Sequence, residues 1–176
     1  NRICCPVLKR NIAIVTNIRH VGISTPIIET IKFFTSHCFD VHLYTVRQSQ
    51  DTATLWEEID GLEVIIRPEN RIRRLYTFIP VLSRKGPYCA MFNFDHESMI
   101  EFGLQMLFKP VYSIFHSLEI HSRKDRVYSG RGIFILMLHR LIMNRSNLIL
   151  TQDKTRRSQL SSIYGVNKGK IKISPN

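Results

Sequence analysis

The chain has 176 residues, of which 44% are hydrophobic and 22% charged, so its length and composition fit one soluble globular domain with a sizeable core. These values exclude a collagen-like, a disordered or a disulfide-scaffold protein. The formal net charge of +11 predicts attraction to an anionic partner: nucleic acid, a phospholipid surface or a phosphorylated small molecule.

The cysteines show neither a C-x-x-C pair nor a Cys/His spacing typical of a metal site; they are Cys4, Cys5, Cys38 and Cys89. Reduced thiols in a cytoplasmic protein are therefore the favoured interpretation. No run approaches the ~20 apolar residues of a membrane span, and the N-terminal "NRICCPVLKR" lacks the apolar core of a signal peptide. Because the chain does not begin with Met and stops just after a predicted strand, we expect it to be part of a longer protein.

Strand-like and helix-like segments alternate along the sequence. The pattern predicts strands at residues 11–16, 41–46, 62–67, 88–92, 111–115, 148–151 and 170–174. Several are continuously apolar, as strands covered on both faces are. The first helix is expected to begin at Thr25 as N-cap with Pro26 at its first position.

Three further helices are predicted at residues 97–107, 132–143 and 153–164, the last ending at Gly165. Residues 71–81 are ambiguous, with a helix-like stretch closed by Pro80. The segment 132–143 is apolar nearly all round, which predicts a helix buried between neighbours. The strand–helix alternation predicts an α/β fold with a doubly wound, mostly parallel, Rossmann-like sheet in residues 11–176, preceded by an N-terminal extension in residues 1–10.

Polar and titratable residues follow the predicted strands, where ligands of an open parallel sheet bind. "NFDHES" follows the fourth strand, "HSLEIH" the fifth and "TQDK" the sixth. A neutral imidazole at His116 would offer one donor and one acceptor to a sugar hydroxyl or a phosphate oxygen. Gly22, just before the first helix, would let backbone N–H groups approach a phosphate. The alternative interpretation is an ordinary solvated loop, in which His116 is structural and Glu119, His121 and Asp95 face water.

The sequence lacks the G-x-G-x-x-G dinucleotide fingerprint and the G-x-x-x-x-G-K-[ST] phosphate loop, which argues against a nicotinamide dehydrogenase and a P-loop NTPase.

Three stretches resemble the N-terminal, acceptor-side domain of GT-B glycosyltransferases, in particular the retaining family 4-like group. "NIAIVTNIRHVGISTPIIETIKFFTSHCFDVHLYTV" is similar to the opening of that domain, and "YCAMFNFDHESMIEFGLQMLFKPVYSIFHSLEIH" to its middle. "SNLILTQDKTRRSQLSSIYGVNKGKIKISPN" is similar to the stretch that closes it. The resemblance covers nearly the whole chain from Asn11 onward.

The resemblance implies a hexosyltransferase with a nucleotide diphosphate sugar as donor, a glycan or lipid-linked acceptor, and neither a cofactor nor a metal in this domain. His116 matches a strand-end histidine near the transferred sugar, and Asp95 an acidic residue after the preceding strand. Gly22 falls in the loop that faces phosphates and acceptor, and Ser117 and Glu119 are implied cleft residues. The donor site would lie mainly on a second, C-terminal domain absent from these residues, so this piece alone should be inactive.

The sequence departs from the family pattern at two places. The paired glycines after the first strand are reduced to Gly22, which weakens the case for close phosphate contact. The "gly-his" turn before the second strand has become His37-Cys38-Phe39-Asp40, a change that concerns a turn.

Two basic clusters carry much of the positive charge. Five residues lie among apolar ones: Arg71, Arg73, Arg74, Arg84 and Lys85. Four more follow the His116 loop: Arg123, Lys124, Arg126 and Arg131. A solvated basic face is one interpretation; contact with donor phosphates or with an anionic cytoplasmic membrane surface is the other, since each basic residue near such a surface contributes about 1 kcal/mol.

Two other functions stay open at this point. One is a sugar-nucleotide epimerase of the same fold, and the other a non-enzymatic basic binding module for nucleic acid or an anionic membrane. Nucleic acid is disfavoured because the sequence contains no helix-turn-helix, zinc-finger or RNP-like motif.

Overall fold

The structure is a computed structural model. It describes residues 10–17, 25–46, 59–70, 72–74, 85–95, 98–99, 103, 111–117 and 130–174. Within these ranges lie seven strands and three α-helices whose bounds are described. In chain order the elements are β1 (Arg10–Val15), α1 (Thr25–Ser36), β2 (Phe39–Thr45), β3 (Leu62–Ile66), β4 (Tyr88–Asn93), β5 (Tyr112–Ser117), α2 (Gly130–Arg145), β6 (Leu148–Thr151), α3 (Lys154–Tyr164), a short 3₁₀ turn (Lys168–Lys170) and β7 (Ile171–Ile173).

The strands form one parallel sheet in the order β3-β2-β1-β4-β5-β6-β7. From β1 the chain builds the sheet in one direction through β2 and β3, and then in the other direction from β4 to β7. This order is that of a doubly wound, Rossmann-like sheet extended by one strand. The predicted fold class is therefore confirmed, and all seven predicted strands are present.

The chain divides into two compact units, Asn1–Met91 and Phe92–Asn176, with the boundary inside β4. In the first unit, β1 pairs with β2 from Arg10↔Phe39 to Val15↔Tyr44, and β2 pairs in turn with β3. Ile12 to Val15 are all buried, which agrees with a strand covered on both faces. The buried residues of α1 are Ile27, Ile31 and Thr35, a spacing of four residues that keeps them on one helix face.

The second unit pairs β5 with β6 and β6 with β7, again in parallel. Its core includes Phe115 and Ile149 from the sheet and Leu160 and Tyr164 from α3. The sequence marks both ends of α3. The Asp153 side chain accepts a hydrogen bond from the backbone N–H of Arg156, and Gly165 closes the helix in the left-handed region at φ 61°.

The helix boundaries agree with the predicted ones to within two residues where the structure describes them. Thr25 belongs to α1 itself instead of preceding it as the N-cap. Of the predicted helix at residues 97–107, only Met99 and Gly103 lie within the described helical positions, and of the ambiguous segment at 71–81 only residues 72–74 do.

The expectation that the apolar segment 132–143 is buried between neighbours is wrong for one face of α2. Ile133, Phe134, Met137 and Leu141 are exposed, whereas His139, Ile142 and Met143 are buried. An apolar sequence allows a helix to be buried on every side, but each side is buried only if another element packs against it. No helix in the described part of the chain has both the length and the apolar content needed to cross a membrane.

Candidate functional site

His116 lies near the carboxyl end of β5, in the second unit. It is 6% exposed, and its register partner on the neighbouring strand is Leu150. Its ring packs at a tilt against Phe94, with the ring centroids 5.4 Å apart. β5 therefore places the imidazole in a buried position at the carboxyl edge of the parallel sheet, and the strand-end position is the one that the sequence predicted.

The His116 side chain is neutral and incompletely bonded. Burial lowers its pKa to about 4, and the positive charge of Arg156 lowers it as well. Its Nε2 atom forms no hydrogen bond with any residue that the structure describes. A buried polar atom without a partner is costly unless something else satisfies it, so this nitrogen is suited to receive a hydroxyl or an oxyanion from a ligand.

Arg156 stands on the first turn of α3, three residues after the N-cap. Its Nε lies 3.4 Å from the carboxylate of Asp153, and only 16% of its side chain is exposed. Its Nη1 atom is buried without a hydrogen-bond partner among the described residues. The positive end of the α3 dipole and a guanidinium are thus combined at the edge that also carries His116, and both favour an anionic group.

Asp95 is buried after β4 and is engaged by Ser98. The carboxylate accepts a hydrogen bond from the Ser98 backbone N–H at 2.7 Å and another from the Ser98 hydroxyl at 3.0 Å. Asn93 donates its side-chain amide to the same hydroxyl. The three residues therefore form one internal network, which fixes the start of the segment after β4 and indicates a structural role for Asp95.

The first unit has a buried arginine at the carboxyl ends of its strands. Arg67 follows β3, and its Nη2 donates to the backbone oxygen of Thr16 at 2.9 Å and to the Asn17 side-chain oxygen at 2.6 Å. Its own backbone N–H donates to Thr45 at 2.7 Å. Arg67 thus joins the ends of β1, β2 and β3.

A second polar cluster of this unit is internally satisfied. The Tyr88 hydroxyl lies 2.7 Å from Nδ1 of His42 and 2.5 Å from the Tyr44 hydroxyl, and Glu63 lies 3.5 Å from Nε2 of His42. Burial raises the pKa of Tyr44 to about 12 and also raises that of Tyr88, so both phenols stay protonated at neutral pH. These bonds join β2, β3 and β4 and indicate a structural role.

Sequence reasoning missed Arg156 and Arg67, and it did not single out Asn93 and Ser98 within the "NFDHES" stretch. Arg156 had a signal: Asp153 was placed at the predicted site edge and began a predicted helix, which puts residue 156 on the first turn. Arg67 was predicted only as the last residue of a strand, and nothing in its local sequence shows that it bonds to Thr16 and Asn17, about 50 residues earlier.

Several predicted site residues lie outside the described residues: Gly22, Glu119, Arg71, Arg123, Lys124 and Arg126. The shared cavity expected for Gly22 and His116 is therefore still a prediction. Ser117 is described by its backbone alone, as the last residue of β5. Arg73 is exposed, whereas Arg74 is buried and donates from Nη1 to the backbone oxygen of Glu69 at 3.2 Å.

Among the described residues, no three His, Cys, Asp or Glu side chains come together as a metal site would require. The charge that acts on the described His116 side chain is the positive one of Arg156, and this environment favours an anionic ligand.

No family model matches the sequence, and no curated protein matches it significantly. Solved structures do match the fold. Anabaena HepE in complex with UDP-glucose gives a TM-score of 0.70 at 11% identity, over 94% of this chain and 43% of that one. Sucrose-phosphate synthase from Thermosynechococcus elongatus gives 0.64 at 11% identity, over 95% and 48%. Phytolacca americana UGT2, complexed with UDP-2fluoro-glucose and pterostilbene, gives 0.62 at 11% identity, over 96% and 54%.

The chain thus spans roughly half the length of each of these proteins while nearly all of it is matched. At identities this low the likeness establishes the fold. The strand order, the parallel pairing and these matches agree on one architecture: the chain has the fold of one domain of a GT-B glycosyltransferase.

Proposed function

We propose that the chain is the acceptor-side, N-terminal domain of a retaining glycosyltransferase that moves a hexosyl group from a nucleotide diphosphate sugar to a hydroxyl of a glycan or a lipid-linked acceptor. Two kinds of observation support this function. The fold matches proteins solved with UDP or UDP-glucose, and the sequence resembles the family 4-like group along nearly its whole length. The donor site and its basic residues belong, in this proposal, to the other half of the enzyme.

The observation that carries the proposal is the state of His116. It is buried at the carboxyl edge of the sheet, neutral, and unbonded at Nε2 to any described residue. With a pKa of about 4 it is a weak base at neutral pH, so it does not deprotonate an acceptor hydroxyl. Its role is to hold a sugar hydroxyl or a phosphate oxygen in place, because orientation lowers the barrier without proton transfer to the imidazole.

Arg156 and the N-terminus of α3 complete the arrangement. A nucleotide diphosphate leaving group gains negative charge as the glycosidic bond breaks, and fixed positive groups that face it stabilise the transition state. In this proposal Arg156 is one of the positive groups that face the leaving group, and the others belong to the second domain. As part of the same proposal, the acceptor lies at an anionic membrane surface on the cytoplasmic side, which the resemblance and the basic clusters support.

The test uses the intact protein, supplied with nucleotide sugars and an acceptor panel. His116→Ala should lower kcat/KM for transfer by about 10- to 100-fold, the cost of one hydrogen bond to a ligand in a buried site. His116→Gln, which keeps a donor and an acceptor, should recover part of the loss. His37→Ala, an exposed histidine in the turn after α1, is the matched control.

Unchanged transfer by His116→Ala would refute the positioning role. Analysis of the product separates the proposed transfer from the epimerase alternative, because an epimerase releases free sugar in the absence of any acceptor.

A further inference from the structure

One face of α2 is apolar and exposed. Phe134 is 68% exposed, Met137 65%, Leu141 49% and Ile133 48%. Residues 133, 137 and 141 repeat every four positions, and residue 134 lies beside them, so at 100° per residue the four side chains form one continuous stripe. The opposite side of the helix carries the buried residues His139, Ile142 and Met143. The stripe is therefore additional to the face that α2 packs into its own unit.

The charged residues of α2 itself have one sign. The 16 residues of α2 include no Asp or Glu. By the same helical geometry, the exposed residues Arg140 and Arg145 flank the stripe on its two sides. Lys170 adds another positive group at the C-terminal end of the helix, where its Nζ donates to the Asn144 backbone oxygen at 2.6 Å.

An apolar stripe bordered by arginines matches the chemistry of an anionic bilayer surface, which offers hydrocarbon below a layer of phosphates. A second copy of the chain fits poorly, because it would bring the same arginines to the contact and a formal charge of +11 on each side. Charge complementarity therefore selects the lipid surface as the occupant.

We propose that the exposed face of α2 docks on membranes that contain anionic phospholipids, with Phe134 and Met137 below the headgroups and Arg140 and Arg145 at the phosphates. At 1.5 Å per residue the helix is about 24 Å long, and it lies parallel to the surface instead of crossing the bilayer. The inference rests on the membrane part of the proposed function. It assigns the contact to the apolar face of α2 with Arg140 and Arg145, and it does not depend on transferase activity.

The experiment measures sedimentation of the protein with vesicles, without donor or acceptor, so that a failure of docking and a failure of transfer are separate results. Vesicles of phosphatidylcholine with 30% phosphatidylglycerol are compared with pure phosphatidylcholine. We expect binding to the first alone, and a decrease at high salt, where surface charges are screened. The double variant Phe134→Gln/Met137→Gln should have a vesicle–water partition coefficient at least about tenfold lower than the wild type, since each substitution removes an apolar side chain from the bilayer.

Two matched controls lie on α1, in the first unit. Phe33 is 55% exposed and Lys32 is exposed, so Phe33→Gln and Lys32→Gln change the same residue classes away from α2. Phe33→Gln should bind as the wild type does, and Arg145→Gln should bind more weakly than Lys32→Gln. Thermal unfolding of each variant verifies that it is folded.

Tryptophan fluorescence tests the docking independently if the double variant unfolds. The chain has one tryptophan, so a Trp56→Phe background can carry a single probe at Phe134→Trp or at Phe33→Trp. Quenching by brominated lipids at the first position alone would support docking through α2. Equal partitioning of the wild type and the double variant, quenching at neither position, or concentration-dependent dimerisation through α2 in place of vesicle binding would overturn it.

Discussion

Cys38 occupies a backbone conformation that suits glycine. Its φ is 62°, in the left-handed region, at the turn between α1 and β2. The resembling family has a gly-his turn before its second strand, so the departure noted in the sequence falls on a position where a Cβ is unfavourable by roughly 1–2 kcal/mol. Cys38→Gly should raise the free energy of unfolding by about 0.5–1 kcal/mol, because the added freedom of the unfolded chain offsets part of the gain.

Urea unfolding of the two proteins measures this change. Cys38→Ala is the control, since it removes the thiol and keeps the Cβ; it should leave the stability close to that of the wild type. A glycine variant no more stable than the alanine variant would contradict the assignment of strain to the backbone.

At the same scale, the sequence predicted the position of His116 but not its surroundings. A run of apolar residues that ends in a histidine shows where the strand ends, but it does not show which residues will contact the histidine. The partners that define the site, Phe94 and Arg156, come from segments 22 and 40 residues away along the chain, and only the folded sheet brings them to the imidazole.

Among the elements, α3 shows how local sequence sets a helix boundary. The Asp153 carboxylate accepts from the Arg156 backbone N–H at 2.7 Å and so satisfies one of the free N–H groups of the first turn. Asp153→Ala should lower the free energy of unfolding by about 1 kcal/mol, and Asp153→Asn should retain most of the stability because an amide oxygen caps as well. Denaturant unfolding of the two variants measures the difference. Equal losses would attribute the effect to the ion pair with Arg156 instead of the cap.

The strands were predictable for a related reason. Continuous apolar runs such as the buried Ile12 to Val15 are distinctive of parallel strands, and turn or capping residues end them. The exposed face of α2 was not predictable from the sequence, because residues such as Phe134 and Met137 are also typical of a buried helix face. Whether another element covers them is decided by the packing of the whole unit.

For the whole molecule, acid should be destabilising through two histidines, one in each compact unit. Burial lowers the pKa of His42 and lowers that of His116 to about 4, so the folded state binds fewer protons than an unfolded chain with an ordinary histidine pKa near 6.5. Stability is therefore intact above about pH 6.5 and falls as the pH decreases from there toward 4. The part due to His116 is on the order of 3 kcal/mol across that window.

Carboxylates also titrate toward the lower end of this range, so the measurement is a difference between variants. The pH dependence of unfolding between pH 7 and 4 should be shallower in His116→Gln than in the wild type, and the same as in the wild type for Phe33→Gln, which removes no titratable group. Parallel curves for the wild type and His116→Gln would show that the buried imidazole has no part in the acid response.

The strand order places β3 and β7 at the two margins of the sheet. A marginal strand has unpaired backbone groups along one side, and these can recruit a strand from another molecule. β7 has three residues with the exposed Lys172 at its centre, whereas β3 has five and exposes Ile66 at its end. A short strand with a central lysine is a poor template for such recruitment, so any aggregation by strand addition should start at the β3 margin.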